Sequence, residues 1–173
     1  MTMKRVKNVY LADTARVRGE VQLGENVSLW YGAVIRGDVA AVTVGEGTNI
    51  QDNAVVHCDS NVPNHIGRDV TIGHSAIVHG KRIGDGTLIG MHATVLGQTE
   101  IGKGCLIAAG CVVPPGLIVP DGMVVMGVPG RVVRPTRPKE QEYLAWLAPH
   151  YVKQAKLHHE QPNDPRVRGW GDC

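Results

Sequence analysis

The sequence predicts a mostly β protein, a solenoid of short strands wound into a parallel coil and closed by a C-terminal α-helix. Three observations carry this. Aliphatic residues recur every six positions, often followed by Gly, as in "IGRDVT", "IGDGTL" and "IGKGCL", and a fixed short period marks a repeat architecture. The fifth residue of each unit is small too, for example Ala54, Ala76, Ala93 and Cys105. The core must also be filled by small and branched side chains: of 173 residues 43% are hydrophobic, yet only 4% are aromatic, Phe is absent and Gly numbers 22.

The aliphatic series runs Leu11, Val17, Leu23, Leu29, Ile35, then Val44, Ile50, Val56, then Ile66, Ile72, Val78, then Ile83, Ile89, Val95, Ile101, Ile107, Val113 and Val119. A strand alternates inward and outward with period two. A small inward residue, an outward one and a large inward one therefore make a short strand, and the remaining residues turn a corner. One unit buries too little to stand alone, so successive units must stack. Hexapeptide repeats of this type resemble the parallel β-helix with three flat sides and about 18 residues per turn. The resemblance also implies a left-handed coil, against the usual right-handed crossover.

The expected organisation is a β-helix over 8–134, a helix over 138–159 packed along it, and a loose tail over 160–173. Between Ile35 and Val44, Val56 and Ile66, and Val78 and Ile83 the spacing changes to nine, ten and five. All three breaks fall at one corner of the prism, where protruding loops are expected to build a site. The coil ends near "GVPGRVVR". Beyond Pro138, Leu144, Leu147, Tyr151, Val152 and Ala155 lie at helical spacing, and Pro149 predicts a break or kink.

A net charge of +2, from 18 basic and 16 acidic residues, gives no electrostatic reason to bind nucleic acid or a membrane surface. The N-terminus lacks the apolar stretch of a signal peptide, and no apolar run is long enough to span a bilayer. The expectation is a cytoplasmic protein with reduced thiols at Cys58, Cys105, Cys111 and Cys173.

The histidines carry the chemistry. His57 and His79 each follow the large inward residue of units three apart, so they stack on one side in adjacent coils about 4.8 Å apart. Two nitrogens on one tetrahedral Zn lie roughly 3.3 Å from each other, so the pair can converge on one ion. His74 belongs to the preceding side, on the order of 10 Å or more away around the prism. It can join them only from a neighbouring subunit, and a cyclic trimer provides such a heterologous, closed interface. By the same geometry Arg36, one coil below His57, should meet a neighbour's Asp52, and Gln51 should approach a metal-bound water. His65 and His92 read as non-ligands, and His150, His158 and His159 as solvated.

"VIRGD" at 34–38, "TNIQDNAVVH" at 48–57 and "IGHSAIVHG" at 72–80 together resemble the gamma-class carbonic anhydrases and their carbonic-anhydrase-like relatives. The resemblance implies a homotrimer with Zn, Fe or Co at each interface, held by His57 and His79 of one subunit and His74 of the next. It implies an Arg36–Asp52 pair across that interface, support of the site by Asp38 and Asn49, and a metal-bound hydroxide held by Gln51. The implied enzyme is a lyase, a carbonate dehydratase-like metalloenzyme that converts carbon dioxide to bicarbonate. Its metal keeps an open position and lowers the pKa of bound water to about 7. Two departures stand out: Val39 follows "RGD" where the family can carry a glutamate, and the acidic loop after the first ligand is reduced to "CDSNVPNH". Asp59 and His65 are the remaining candidates for a proton shuttle. Competing functions are a catalytically weak, metal-bearing trimeric scaffold and a hexapeptide acyltransferase or thioesterase acting on CoA esters.

Overall fold

A computed structural model describes residues 2–169. Short parallel strands stack into about six turns of a three-sided coil, followed by one helix. The first side stacks Leu11, Leu29, Ile50, Ile72, Ile89, Ile107 and Val125, and its strands pair in register from coil to coil. The second side stacks Val17, Ile35, Val56, Val78, Val95 and Val113. The third carries Leu23, Val44, Ile66, Ile83, Ile101 and Val119. The small inward residues expected from the repeat, from Val27 and Ala33 to Cys105 and Cys111, are all buried in the same core.

The corner between the second and third sides carries the irregularities, but the first is not a loop. The strand Val34–Val44 runs through the corner beside Arg16–Leu23. Its extra residues form a bulge, where Gly19 opposite Gly37 gives way to Val21 opposite Val42. Parallel pairing on both sides of the bend keeps the segment extended. The second irregularity is a true loop, which turns back on itself through an isolated bridge between Asp59 and Val62.

Both ends of the coil are capped by antiparallel hairpins. Met3–Val6 folds back on Val9–Ala12, and Met123–Gly127 on Gly130–Pro135. The first hairpin lies partly outside the expected 8–134, because a strand covering the exposed coil edge carries no hexapeptide signal. The helix Pro138–Glu160 is one residue longer than expected and continues through Pro149 rather than breaking. Buried Leu144, Leu147 and Ala148 on one side of the proline and Ala155 on the other anchor it against the first side of the coil. His158 is not solvated: it packs edge-on against Trp30 at 5.1 Å, and its Nδ1 lies 3.2 Å from the Tyr31 hydroxyl. Burial pushes its pKa down, favouring the neutral ring. Beyond the helix, residues 161–169 form turns, with Arg166 on Asp164 at 2.7 Å. Residues 170–173, Cys173 included, lie outside the described residues.

Candidate metal centre

His57 and His79 leave the strands Val55–Val56 and Ile77–Val78 at equivalent positions, and the pairing of Val56 with Val78 places one ring above the other. The rings are stacked, with centroids 5.1 Å apart and planes 14° from parallel. His57 Nδ1 faces His79 Nε2 at 3.2 Å. Each outward nitrogen meets a carboxylate: His57 Nε2 lies 3.0 Å from Asp38 Oδ1, and His79 Nδ1 lies 3.3 Å from Asp59 Oδ1. Asp38 comes from the bulge and Asp59 from the loop. The Arg36 guanidinium, 2.6 Å from Asp38, holds that carboxyl below its usual range, and the contact with His57 adds to the effect.

This donor set fits a divalent cation. If each carboxylate takes a ring N–H, the two nitrogens facing each other both carry lone pairs. In the other tautomer one ring donates to the other; with both lone pairs free, the separation is close to the roughly 3.3 Å of two ligands on tetrahedral Zn. Carboxylates behind the histidines are the usual second contacts of metal-ligating imidazoles. Among the described residues, no three His, Cys, Asp or Glu side chains of the single chain are grouped to hold an ion. His74 sits on another corner, with its Nδ1 2.8 Å from Asp52 Oδ2. Within one chain, then, Arg36 meets Asp38 and Asp52 meets His74.

Gln51 is 4% exposed and shares with His74 a cavity of about 250 Å³ beneath the C-terminal helix, walled by Leu88, Leu106, Leu147 and Tyr151. Its amide donates to Asn49 Oδ1 at 3.1 Å, and the Asn49 amide donates to Thr71 Oγ1 at 2.8 Å. This chain fixes Gln51 by its nitrogen and leaves its oxygen for the cavity. His65 lies on the third side of the prism with its Nδ1 2.8 Å from Thr43 Oγ1, away from the histidine pair. Cys58 is turned into the core, where it donates to the Ala40 carbonyl at 3.2 Å, and burial pushes its thiol up and keeps it protonated. Asn64 was missed by sequence reasoning. Buried inside the coil, its amide donates to the His57 carbonyl at 2.8 Å and steadies the backbone that carries that histidine. The available signal was an Asn in an inward position of the repeat, two residues before Ile66.

A family model described as "Bacterial transferase hexapeptide (six repeats)" matches residues 80–115. The chain is 46% identical over 147 residues to "Probable carbonic anhydrase" of Methanocaldococcus jannaschii, covering 85% of this chain and 92% of that protein. The chain belongs to the gamma-class carbonic anhydrase-like family. It is also 40% identical over 158 residues to "Gamma carbonic anhydrase 2, mitochondrial" of Arabidopsis thaliana, where 88% of this chain matches 57% of the longer plant protein. A crystal structure of a hexapeptide transferase family protein from Anaplasma phagocytophilum superposes with a TM-score of 0.83 at 39% identity, covering 87% of this chain and 89% of that one.

Proposed function

We propose that this family member is a homotrimer in which His57 and His79 of one subunit and His74 of the next hold a divalent cation, Zn or else Fe or Co, and that the site interconverts carbon dioxide and bicarbonate. The observation that carries this is the pair of imidazole nitrogens facing each other at 3.2 Å, each ring backed by a carboxylate. The names of the methanogen and plant relatives agree with it.

Exposed apolar residues flank both halves of the proposed interface. Outward from the side that bears His57 and His79 runs a column of Val34, Val55, Ile77, Thr94 and Val112, with Ile77 43% exposed. On the corner that bears His74, Met91 is 52% exposed in the next coil. Such surface is costly to leave in water and suits a subunit contact. In the trimer Arg36 would exchange or share Asp38 with Asp52 of the next subunit. The proposal includes a cytoplasmic location, in keeping with the buried free thiols of Cys58, Cys105 and Cys111. Among the described residues no helix is long and apolar enough to cross a membrane.

When bound, the cation supplies the Lewis acidity that brings the pKa of a coordinated water to about 7. The chain does the rest. Asp38 and Asp59 keep the ring nitrogens directed inward, and Asn49 holds Gln51 so that its oxygen can accept a hydrogen bond in the cavity and orient the reacting groups. The apolar wall formed by Leu88, Leu106 and Leu147 suits a neutral, apolar substrate such as carbon dioxide.

Metal analysis, sedimentation and stopped-flow hydration of carbon dioxide test the proposal, with His79→Ala as control. The expected result is a trimer with one equivalent of metal per subunit and a rate that collapses in the variant. Equal, slow rates in both proteins would leave a metal-bearing scaffold instead. A metal-free trimer that transfers acyl groups from CoA esters would favour the acyltransferase; the name of the Anaplasma structure speaks only of a hexapeptide transferase family.

A further inference from the structure

Stacking the coils brings His57 and His79 together but does not decide which nitrogen of each ring faces the other with a lone pair. A neutral imidazole has one N–H, and its position follows from what the other nitrogen meets. For His57 that partner is Asp38. For His79 it is Asp59, whose Oδ1 lies 3.3 Å from Nδ1.

We propose that Asp59 is a positioning residue: its carboxylate, 3.3 Å from Nδ1, favours the N–H of His79 on that nitrogen and so leaves the Nε2 lone pair toward His57, while Gly97 supplies the space the carboxylate occupies. This rests on the metal-binding function above and gives the short loop after His57 a specific part in it. Two features beyond the contact itself point the same way. The Asp59 carbonyl accepts the Val62 N–H at 3.0 Å, so the loop turns tightly and fixes where the side chain starts. A Cβ built on Gly97 would overlap Asp59 Oδ2, and Gly97 is not among the glycines with positive φ. Its backbone would accept an alanine, so the missing side chain answers to the carboxylate rather than to the turn. Gln98, the next residue, adds an amide 3.5 Å from the same oxygen. With Oδ1 beside His79 and Oδ2 packed against Gly97 and Gln98, the carboxylate is suited to orienting a ring rather than to swinging between site and solvent as a proton shuttle.

Gly97→Ala perturbs this arrangement without replacing any charged or metal-binding residue, because the new methyl displaces the free end of the Asp59 side chain. Cobalt(II) affinity is measured by chelator competition on the trimer for wild type, Gly97→Ala, Asp59→Leu and Asp59→Asn, alongside ¹⁵N shifts of the His79 ring in metal-free protein. Gly97→Ala and Asp59→Leu should weaken binding by about 10–100-fold with the trimer and its circular dichroism intact. The His79 ring should change from a single Nδ1–H tautomer to a mixture. Asp59→Asn keeps an oxygen acceptor in place and should fall between wild type and leucine. Wild-type affinity and an unchanged tautomer in Gly97→Ala and Asp59→Leu would overturn the proposal, as would an asparagine variant no better than leucine. If wild type itself binds less than one equivalent of cobalt, the metal site of the proposed function fails, and the role of Asp59 with it.

Discussion

Replacing Thr48 by Val tests whether the small inward positions of the repeat are only filler. Thr48 is fully buried; its hydroxyl donates to the Gly67 carbonyl at 2.9 Å and accepts the Val70 N–H at 3.0 Å, tying one coil to the next. Thr87 makes the same two contacts, with the Gly102 carbonyl and the Cys105 N–H. Valine keeps the β-branch and nearly the volume but leaves a backbone N–H and a carbonyl without partners inside the core. Each such group costs about 1–3 kcal/mol, so the expected loss is about 2–5 kcal/mol, or roughly 5–15 °C in Tm for a domain of this size. Thermal unfolding followed by circular dichroism measures the loss, and hydrogen exchange at the Val70 amide localises it. Thr48→Ser keeps the hydroxyl and should lose only about 1 kcal/mol through its missing methyl. A valine variant as stable as wild type, with Val70 equally protected, would refute the role of the hydroxyl.

Gln51→Ala should lower kcat/KM for carbon dioxide hydration by about 100-fold while metal content stays at one equivalent, checked by stopped flow and metal analysis on one preparation. Arg36→Ala and Asp52→Ala should each weaken the trimer about tenfold in sedimentation equilibrium, and the double variant should be no weaker than either single one, as expected of a coupled pair. Glu140 accepts the Arg137 N–H at 2.7 Å and both Arg134 nitrogens, which hold its carboxyl down at about 2. A lowered carboxyl pKa stabilises the folded helix fully above the ordinary value of about 4.5 and loses that contribution as pH falls toward about 2. Tryptophan fluorescence should report loosening of the helix in that window for wild type, whereas Glu140→Gln should lack the step.

What the sequence made legible was whatever the repeat enforces. Ala54, Ala76 and Ala93 could be placed in the core, and His57 above His79, because period two and period six together leave each residue one possible direction. The elements that break the repeat were harder to place. The bulge at 37–42 reads as a loop by its length, and only the neighbouring strand Arg16–Leu23 keeps it extended. The first hairpin carries no hexapeptide signal, and the contacts of His158 with Trp30 and Tyr31 depend on where the helix docks. Pro149 signals a break locally, but buried side chains before and after it hold the helix together. Asp59 was legible as an acidic residue near the site but not as the partner of His79, because a contact between a loop and the next coil follows from no spacing.

The proposed centre divides its labour between the regular and irregular parts of the fold. Stacked strands set the distance between His57 and His79, because coil spacing and side-chain direction are fixed along the whole prism. Nothing regular can choose which nitrogen of each ring carries the proton, since both tautomers occupy the same volume. That choice is left to the corner where the repeat is interrupted, and there the bulge brings Asp38 to His57 while the loop brings Asp59 to His79. Two interruptions at one corner thus supply one carboxylate each to the two stacked histidines. A further consequence is that lengthening the loop between Asp59 and His65 should be tolerated by the coil, whereas moving Asp59 by one residue should not be tolerated by the metal site.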